Sequence, residues 1–113
     1  MEIEHIPVLV DEVVHTLREH GDMQTVVDAT LGLGGHSEAI LRTFPSVHVV
    51  GIDQDRKALT QAEERLSQYT ERFTGELDNF RNIEAILQRR GIARPDAIVL
   101  DLGVSNLQIR SGE

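Results

Sequence analysis

The stretch Val26-Val27-Asp28-Ala29-Thr30-Leu31-Gly32-Leu33-Gly34-Gly35-His36-Ser37 decides how the chain is read. An apolar, β-branched run turns there into a glycine-rich bend, and a helical pattern begins immediately after it. The glycines let backbone approach a ligand that a Cβ would repel, and the first turn of a helix offers N–H groups to an anion. Strand, tight turn and helix N-terminus together imply a nucleotide pocket.

Working outward, the periodicity changes in a regular order. Pro7 followed by Val10, Val13, Val14 and Leu17 gives a proline-started amphipathic helix that closes near Gly21. Thr25 to Ala29 is a strand, and the glycine bend leads into a helix through Ala39, Ile40 and Leu41 that stops before Pro45. Val47 to Ile52 is the next strand. Asp55 then caps a helix with Ala58, Leu59, Ala62 and Leu66 on one face. Arg72 to Gly75 is a weaker, edge-like strand. A helix through Ile83, Ile86 and Leu87 ends at Gly91, and Asp96 to Leu102 is the last strand. Continuous apolar strands alternating with helices predict an α/β fold with a parallel sheet covered by helices.

Composition narrows the function classes. The 113 residues suit one domain, small for a complete nucleotide-dependent enzyme, and 40% hydrophobic with 27% charged residues is the make-up of a soluble globular protein. There is no cysteine, which excludes disulfides, thiolate zinc sites and cysteine nucleophiles. With no signal peptide or long apolar span in the sequence, a cytoplasmic location is expected. A net charge of -8 argues against an autonomous nucleic-acid binder. Arg89, Arg90 and Arg94 form the one basic cluster, read as a solvated helix end complementing the helix dipole rather than as an RNA contact.

Parallel sheets of this kind bind ligands at the carboxyl ends of their strands. Here those ends carry Asp28, Asp53 and Asp101. An acid about 20 residues beyond the glycine turn is placed to accept ribose hydroxyl protons, and Asp53 fits. The competing role, capping the following helix, is better filled by Asp55. The glycine run is not the dinucleotide fingerprint, because Gly32-Leu33-Gly34-Gly35 lacks the third glycine. Asp28 sits where enzymes using S-adenosylmethionine place an acid near the amino acid moiety, which favours a methyl donor over NAD. His5, His15, His20 and His48 have no metal-like spacing, so no metal site is expected.

Four blocks then carry a family resemblance: His5-Ile6-Pro7-Val8-Leu9-Val10-Asp11-Glu12-Val13, Asp28 to Ser37, Gly51-Ile52-Asp53-Gln54-Asp55, and Leu100-Asp101-Leu102-Gly103-Val104-Ser105, with Asn79-Phe80 between the last two. In this order the chain resembles the N-terminal part of the bacterial 16S ribosomal RNA cytosine-N4 methyltransferases, the MraW or RsmH group. The resemblance implies a class I, Rossmann-like methyltransferase sheet, of which this chain holds the first four strands. It implies S-adenosylmethionine as cofactor, bound by Gly34, Gly35, His36, Asp53, Phe80, Asp101 and Gln108. It implies as substrate a cytosine of 16S rRNA in the small ribosomal subunit. Taken alone, Phe80 reads equally as a stacking wall for adenine or as a core aromatic opening a helix. His36 reads as a cofactor contact chiefly because glycines precede it, and Gln108 has little independent support.

Asp101 lies where the methyl group is to be delivered. The exocyclic amine of cytosine is a poor nucleophile because its lone pair is delocalised into the ring. An acceptor holding one N–H raises its electron density, so Asp101 is a candidate catalytic acceptor or a cofactor ligand. Three departures from the family pattern stand beside these matches. Asn106-Leu107-Gln108-Ile109-Arg110 replaces Ser-Pro-Gln-Leu-Asp, loosening the loop that presents Gln108. Asp78 replaces a glycine and is expected to disturb the adenine-side turn while adding negative charge. The sequence ends at Glu113, before the family's substrate-recognition insertion and closing strands, so residues 1–113 are expected to form one partial domain. Such a sheet would have an exposed edge inviting homodimerisation or other edge-strand association, and little RNA affinity of its own. The alternative function is a non-catalytic S-adenosylmethionine- or nucleotide-binding half-domain, or an assembly module.

Overall fold

Val26 and Val27 are neighbours on one strand, point to opposite faces, and are both fully buried. That is possible only for a sheet covered on both sides. The computed structural model, which describes residues 12–100, shows such a sheet. Its described chain opens in a helix, α1, over residues 12–20. There follow β1 (Thr25–Asp28), α2 (Gly35–Thr43), β2 (His48–Asp53), α3 (Arg56–Arg65), β3 (Phe73–Leu77), α4 (Ile83–Arg89) and β4 (Ala97–Val99). Short 3-10 turns occupy Ser67–Tyr69 and Phe80–Asn82.

The four strands are all parallel and run in the order β3-β2-β1-β4. Chain order therefore reverses between β1 and β4, the arrangement that opens a crevice at the carboxyl ends. On one face Val26, Val49 and Val99 pack with Leu17, Ile40, Leu41 and Leu66, drawn from α1, α2 and the end of α3. On the other, Val27, Val50 and Ile52 pack with Ile86 of α4, flanked by Ile83, Leu87 and Ile92. Ile40 and Ile86 are each fully buried.

The strand limits differ from the sequence expectation by a residue or two, for identifiable reasons. β3 begins after Arg72 and runs on to Leu77 because it pairs with β2 from Val49 opposite Phe73 to Asp53 opposite Leu77. It is the edge strand expected. Arg72, taken from sequence as the first strand residue, instead donates from its guanidinium to the carbonyls of Leu41 at 2.8 Å, Val47 at 2.9 Å and Phe44 at 3.1 Å. It thereby satisfies backbone acceptors at and beyond the C-terminal end of α2. β4 pairs with β1 from Ala97, opposite Val26, and Asp96 just before it pins the start of β1: one carboxylate oxygen accepts the N–H groups of Gln24 at 2.7 Å and Thr25 at 2.9 Å. The strand stops at Val99, short of Leu100, while Asp101-Leu102 of the expected last strand and the helix-starting Pro7 lie outside the described residues.

Arg89 and Arg90 of the basic cluster stand exposed at the C-terminal end of α4, as expected, and they also pair across to β3. Glu76 of β3 is only 7% exposed and takes both Arg89, at 2.8 Å, and Arg90. Burial of a carboxylate demands such partners, so β3 supplies the acid and the end of α4 the bases.

Two measurements check this account. Ile86→Ala should cost about 2–5 kcal/mol in denaturant unfolding, the range for emptying a packed aliphatic site, whereas Ile98→Ala, on a residue 48% exposed, should change little. The second concerns pH. The hydrogen bonds from Thr25 and then Gln24 hold the Asp96 carboxyl below the ordinary value of 3.8. A carboxyl with a depressed folded pKa contributes stability above its unfolded value, and that contribution is lost as pH falls through the folded one. Asp96→Ala should therefore be less stable than the parent chain at pH 7, with the gap narrowing steadily below pH ~4 in thermal melts.

Candidate cofactor cleft

The glycine bend is built over the end of β2. Leu31 donates its N–H to Ile52 at 3.0 Å, and its side chain is buried above Gly51. A Cβ on Gly51 would lie 2.8 Å from Leu31 Cδ1 and 2.9 Å from Phe73 Cε1, so a glycine is required for the crossing. Gly34 has φ +91 and closes the turn by donating to the Leu31 carbonyl at 2.9 Å. It also serves as the N-cap of α2 with no side chain to occupy the helix end.

Asp53, the last residue of β2, organises what surrounds it. Its Oδ2 accepts the Gly32 N–H at 2.9 Å and its Oδ1 the Asp55 N–H at 2.8 Å. Asp55 is the helix cap, accepting from Lys57 N–H at 2.9 Å, as expected from sequence. Asp53 is therefore released from capping and stands partly exposed at the strand end.

The turn after β3 forms the opposite wall. Asp78 donates its N–H to the Asp53 carbonyl at 3.0 Å, and its Oδ1 accepts from Asn79 N–H and Asn82 Nδ2, both at 2.7 Å. The side-chain bond from Asn82, then the backbone bond from Asn79, and the nearby Arg89 charge hold the Asp78 carboxyl below its ordinary value. Far from disturbing the turn as expected, Asp78 orders it, since its short carboxylate supplies the local acceptor that such turns use. Asn79 caps the following 3-10 turn through Arg81 N–H at 2.9 Å and reaches Gln54 Oε1 at 2.8 Å. Phe80 emerges from this turn 43% exposed, so it is not the core aromatic of the alternative reading.

Between these walls lies a cleft of about 300 Å³, lined by Ala29, Thr30 and Gly32 after β1, by Ile52, Asp53 and Gln54 at the end of β2, and by Asp78, Asn79 and Phe80 after β3. The structure thus brings Asp53 and Phe80 into one cleft. Gly34, Gly35 and His36 sit at the N-terminal end of α2 and are not among the described lining residues; His36 is buried at 7% exposure. Asp101 and Gln108 lie outside the described residues. Asp28 is fully buried, and its Oδ2 accepts the Ser37 hydroxyl at 2.7 Å, so this acid fastens β1 to α2 rather than facing the cleft. Sequence reasoning passed over Gln54 and Asn79; their adjacency to Asp53 and Phe80 was the available signal. Among the described residues no group of three or more His, Asp or Glu side chains is placed to hold a metal ion, and no helix is long and apolar enough to cross a membrane.

A carboxylate at the end of the second strand, held by one N–H at each oxygen, keeps further lone pairs for hydroxyl donors. With an exposed aromatic side chain lining the same cleft, the described residues fit an adenosine-bearing cofactor.

Comparison with known proteins agrees with this geometry. A ribosomal RNA small subunit methyltransferase H from Nocardioides sp. is 45% identical over 107 residues, covering 93% of this chain and 34% of the relative. One from Carboxydothermus hydrogenoformans is 44% identical over 112 residues, covering 96% and 34%. The chain thus spans about one third of the length of these relatives. Among solved structures, an rRNA methylase from Streptococcus thermophilus superimposes with a TM-score of 0.52 at 25% identity, covering 65% of this chain and 46% of that one. The profile of the MraW methylase family matches residues 2–113, and the chain belongs to that family.

Proposed function

We propose that this chain is the cofactor-binding part of an S-adenosylmethionine-dependent methyltransferase that acts on the exocyclic N4 amine of a cytosine in small-subunit ribosomal RNA. The observation that carries the reading is the cleft that Asp53, bonded to the glycine bend, and the half-exposed Phe80 line together. When bound, S-adenosylmethionine supplies an activated methyl group. The chain's own residues do the positioning: Asp53 accepts from the ribose hydroxyls, Phe80 covers the adenine, and Gly34, Gly35 and His36 present the N-terminal end of α2 to the carboxylate of the amino acid moiety. In this reading Gln108 is a further cofactor contact. Asp101 holds an N–H of the incoming cytosine or contacts the cofactor.

The family's relatives are about three times as long, and the reading assigns substrate recognition and the closing strands to the portion of such proteins that this chain does not span. It places the protein in the cytoplasm with the ribosomal subunit. A second reading, a half-domain that binds cofactor or a partner without methyl transfer, is favoured by one observation: β4 has no neighbour on its outer edge among the described strands, and Ile98 within it and Leu100 just after it are 48% and 52% exposed. An edge of that kind invites pairing with a second copy or another chain.

Calorimetric titration with S-adenosylmethionine separates the two. The proposed function expects saturable binding with Kd on the order of micromolar, weakened at least about tenfold in Asp53→Ala, while circular dichroism shows both chains folded. Absence of binding by the folded parent chain would remove the cofactor-site reading and leave assembly through the β4 edge.

A further inference from the structure

We infer that Arg89 is a positioning residue for the cleft, locking the turn that carries Phe80 to the buried end of β3. The inference rests on the reading of the cleft as a cofactor site and extends it to a residue one helix away. Arg89 is the last residue of α4, and its Nη2 lies 2.8 Å from Glu76 Oε1 and 3.8 Å from Asp78 Oδ2. Glu76 is anchored in β3 with its side chain 8% exposed, whereas Asp78 lines the cleft. One guanidinium thus bridges a fixed acid and a turn acid two residues later. Asp78 in turn accepts from Asn79 and Asn82, the residues on either side of Phe80 and Arg81. The path from Arg89 to Phe80 consists of charged or hydrogen-bonded contacts throughout.

Arg90 provides the internal comparison. It pairs with the other oxygen of Glu76 and has no contact with Asp78 among the described interactions. Both arginines compensate the same buried carboxylate, so loss of either removes one Glu76 ion pair. Loss of Arg89 alone also breaks the contact to Asp78 and so frees the turn from the anchored strand. Because Arg89 is half exposed, the effect is graded rather than absolute.

The test compares the parent chain with Arg89→Ala, Arg90→Ala, Arg89→Lys and Asp78→Asn, reading amide hydrogen exchange over residues 79–82 and S-adenosylmethionine affinity by calorimetry. Arg89→Ala should speed exchange at Asn79 and Asn82 severalfold and weaken affinity about two- to fivefold. Arg90→Ala should leave both at parent values despite a similar loss of thermal stability, and Arg89→Lys should recover most of each. Asp78→Asn keeps the oxygen acceptor and removes only the charge, so it should reproduce Arg89→Ala in a chain whose Glu76 pairs are intact. Equal behaviour of Arg89→Ala and Arg90→Ala, or unchanged exchange in Arg89→Ala and Asp78→Asn, overturns the inference. Faster exchange with unchanged affinity overturns its link to the cofactor. If the parent chain itself binds no S-adenosylmethionine, the proposed function falls, while the exchange comparison still decides whether Arg89 holds the turn.

Discussion

The carboxylate of Asp53 accepts from the backbone of the glycine bend on one side and from the entry to α3 on the other, while its carbonyl accepts from the turn after β3. Three segments far apart in sequence therefore converge on one residue, and each bond to an ionised carboxylate is stronger than an ordinary amide contact. The convergence has a steric precondition two residues earlier. Only a glycine at position 51 leaves room for Leu31 to cross the strand and bring Gly32 within reach. Backbone clearance at Gly51 and charge at Asp53 are thus one device, and the cleft exists because both are present.

The sheet serves this device by being covered on two faces and open at the carboxyl ends of its strands. The valines of β1 and β2 divide between the α2 and α4 sides, so neither face can shift without emptying a packed layer. The helices that cover those faces are then tied to the loops at the strand ends by arginines. Arg72 closes the end of α2, Arg65 pairs with Glu38 at 2.8 Å, and Arg89 joins Glu76 to the Asp78 turn. In a chain with 11 Lys and Arg against 19 Asp and Glu, these cations are committed to the fold itself.

Which parts of this were legible in the sequence follows from the range of the interactions. The strands, the helices and the glycine bend rest on local pattern, and each was visible as periodicity or as a turn residue at the right place. Asp55 as cap was legible for the same reason, since its partner Lys57 is two residues away. Arg89 and Arg90 were legible as an exposed helix end but not as partners of Glu76, because that residue lies on a strand whose facing is set by its register with β2, and no local signal reports that register. The bond from the Ser37 hydroxyl to Asp28 was hidden for the same reason, since an acid at a strand end carries no local sign of what packs above it. Asp78 looked like a defect against a glycine pattern, yet its side chain makes the turn that the glycine would have allowed.

The charge of the molecule bears on how its proposed task would be divided. Asp53 and Asp78 both line the cleft, and the latter is held ionised by its hydrogen bonds and by Arg89. A field of that sign attracts a sulfonium and repels a polyanion, and at a net charge of -8 the repulsion extends over the whole chain. Four of the arginines, Arg65, Arg72, Arg89 and Arg90, are engaged on Glu38, Glu76 and backbone carbonyls. The acids of this cleft suit a cationic cofactor and do not themselves supply the phosphate contacts that RNA affinity requires, so in the proposed reading the two demands fall on separate surfaces. In the proposed reading this chain meets the first, and the basic surface for the second lies in the portion of the family's length beyond it.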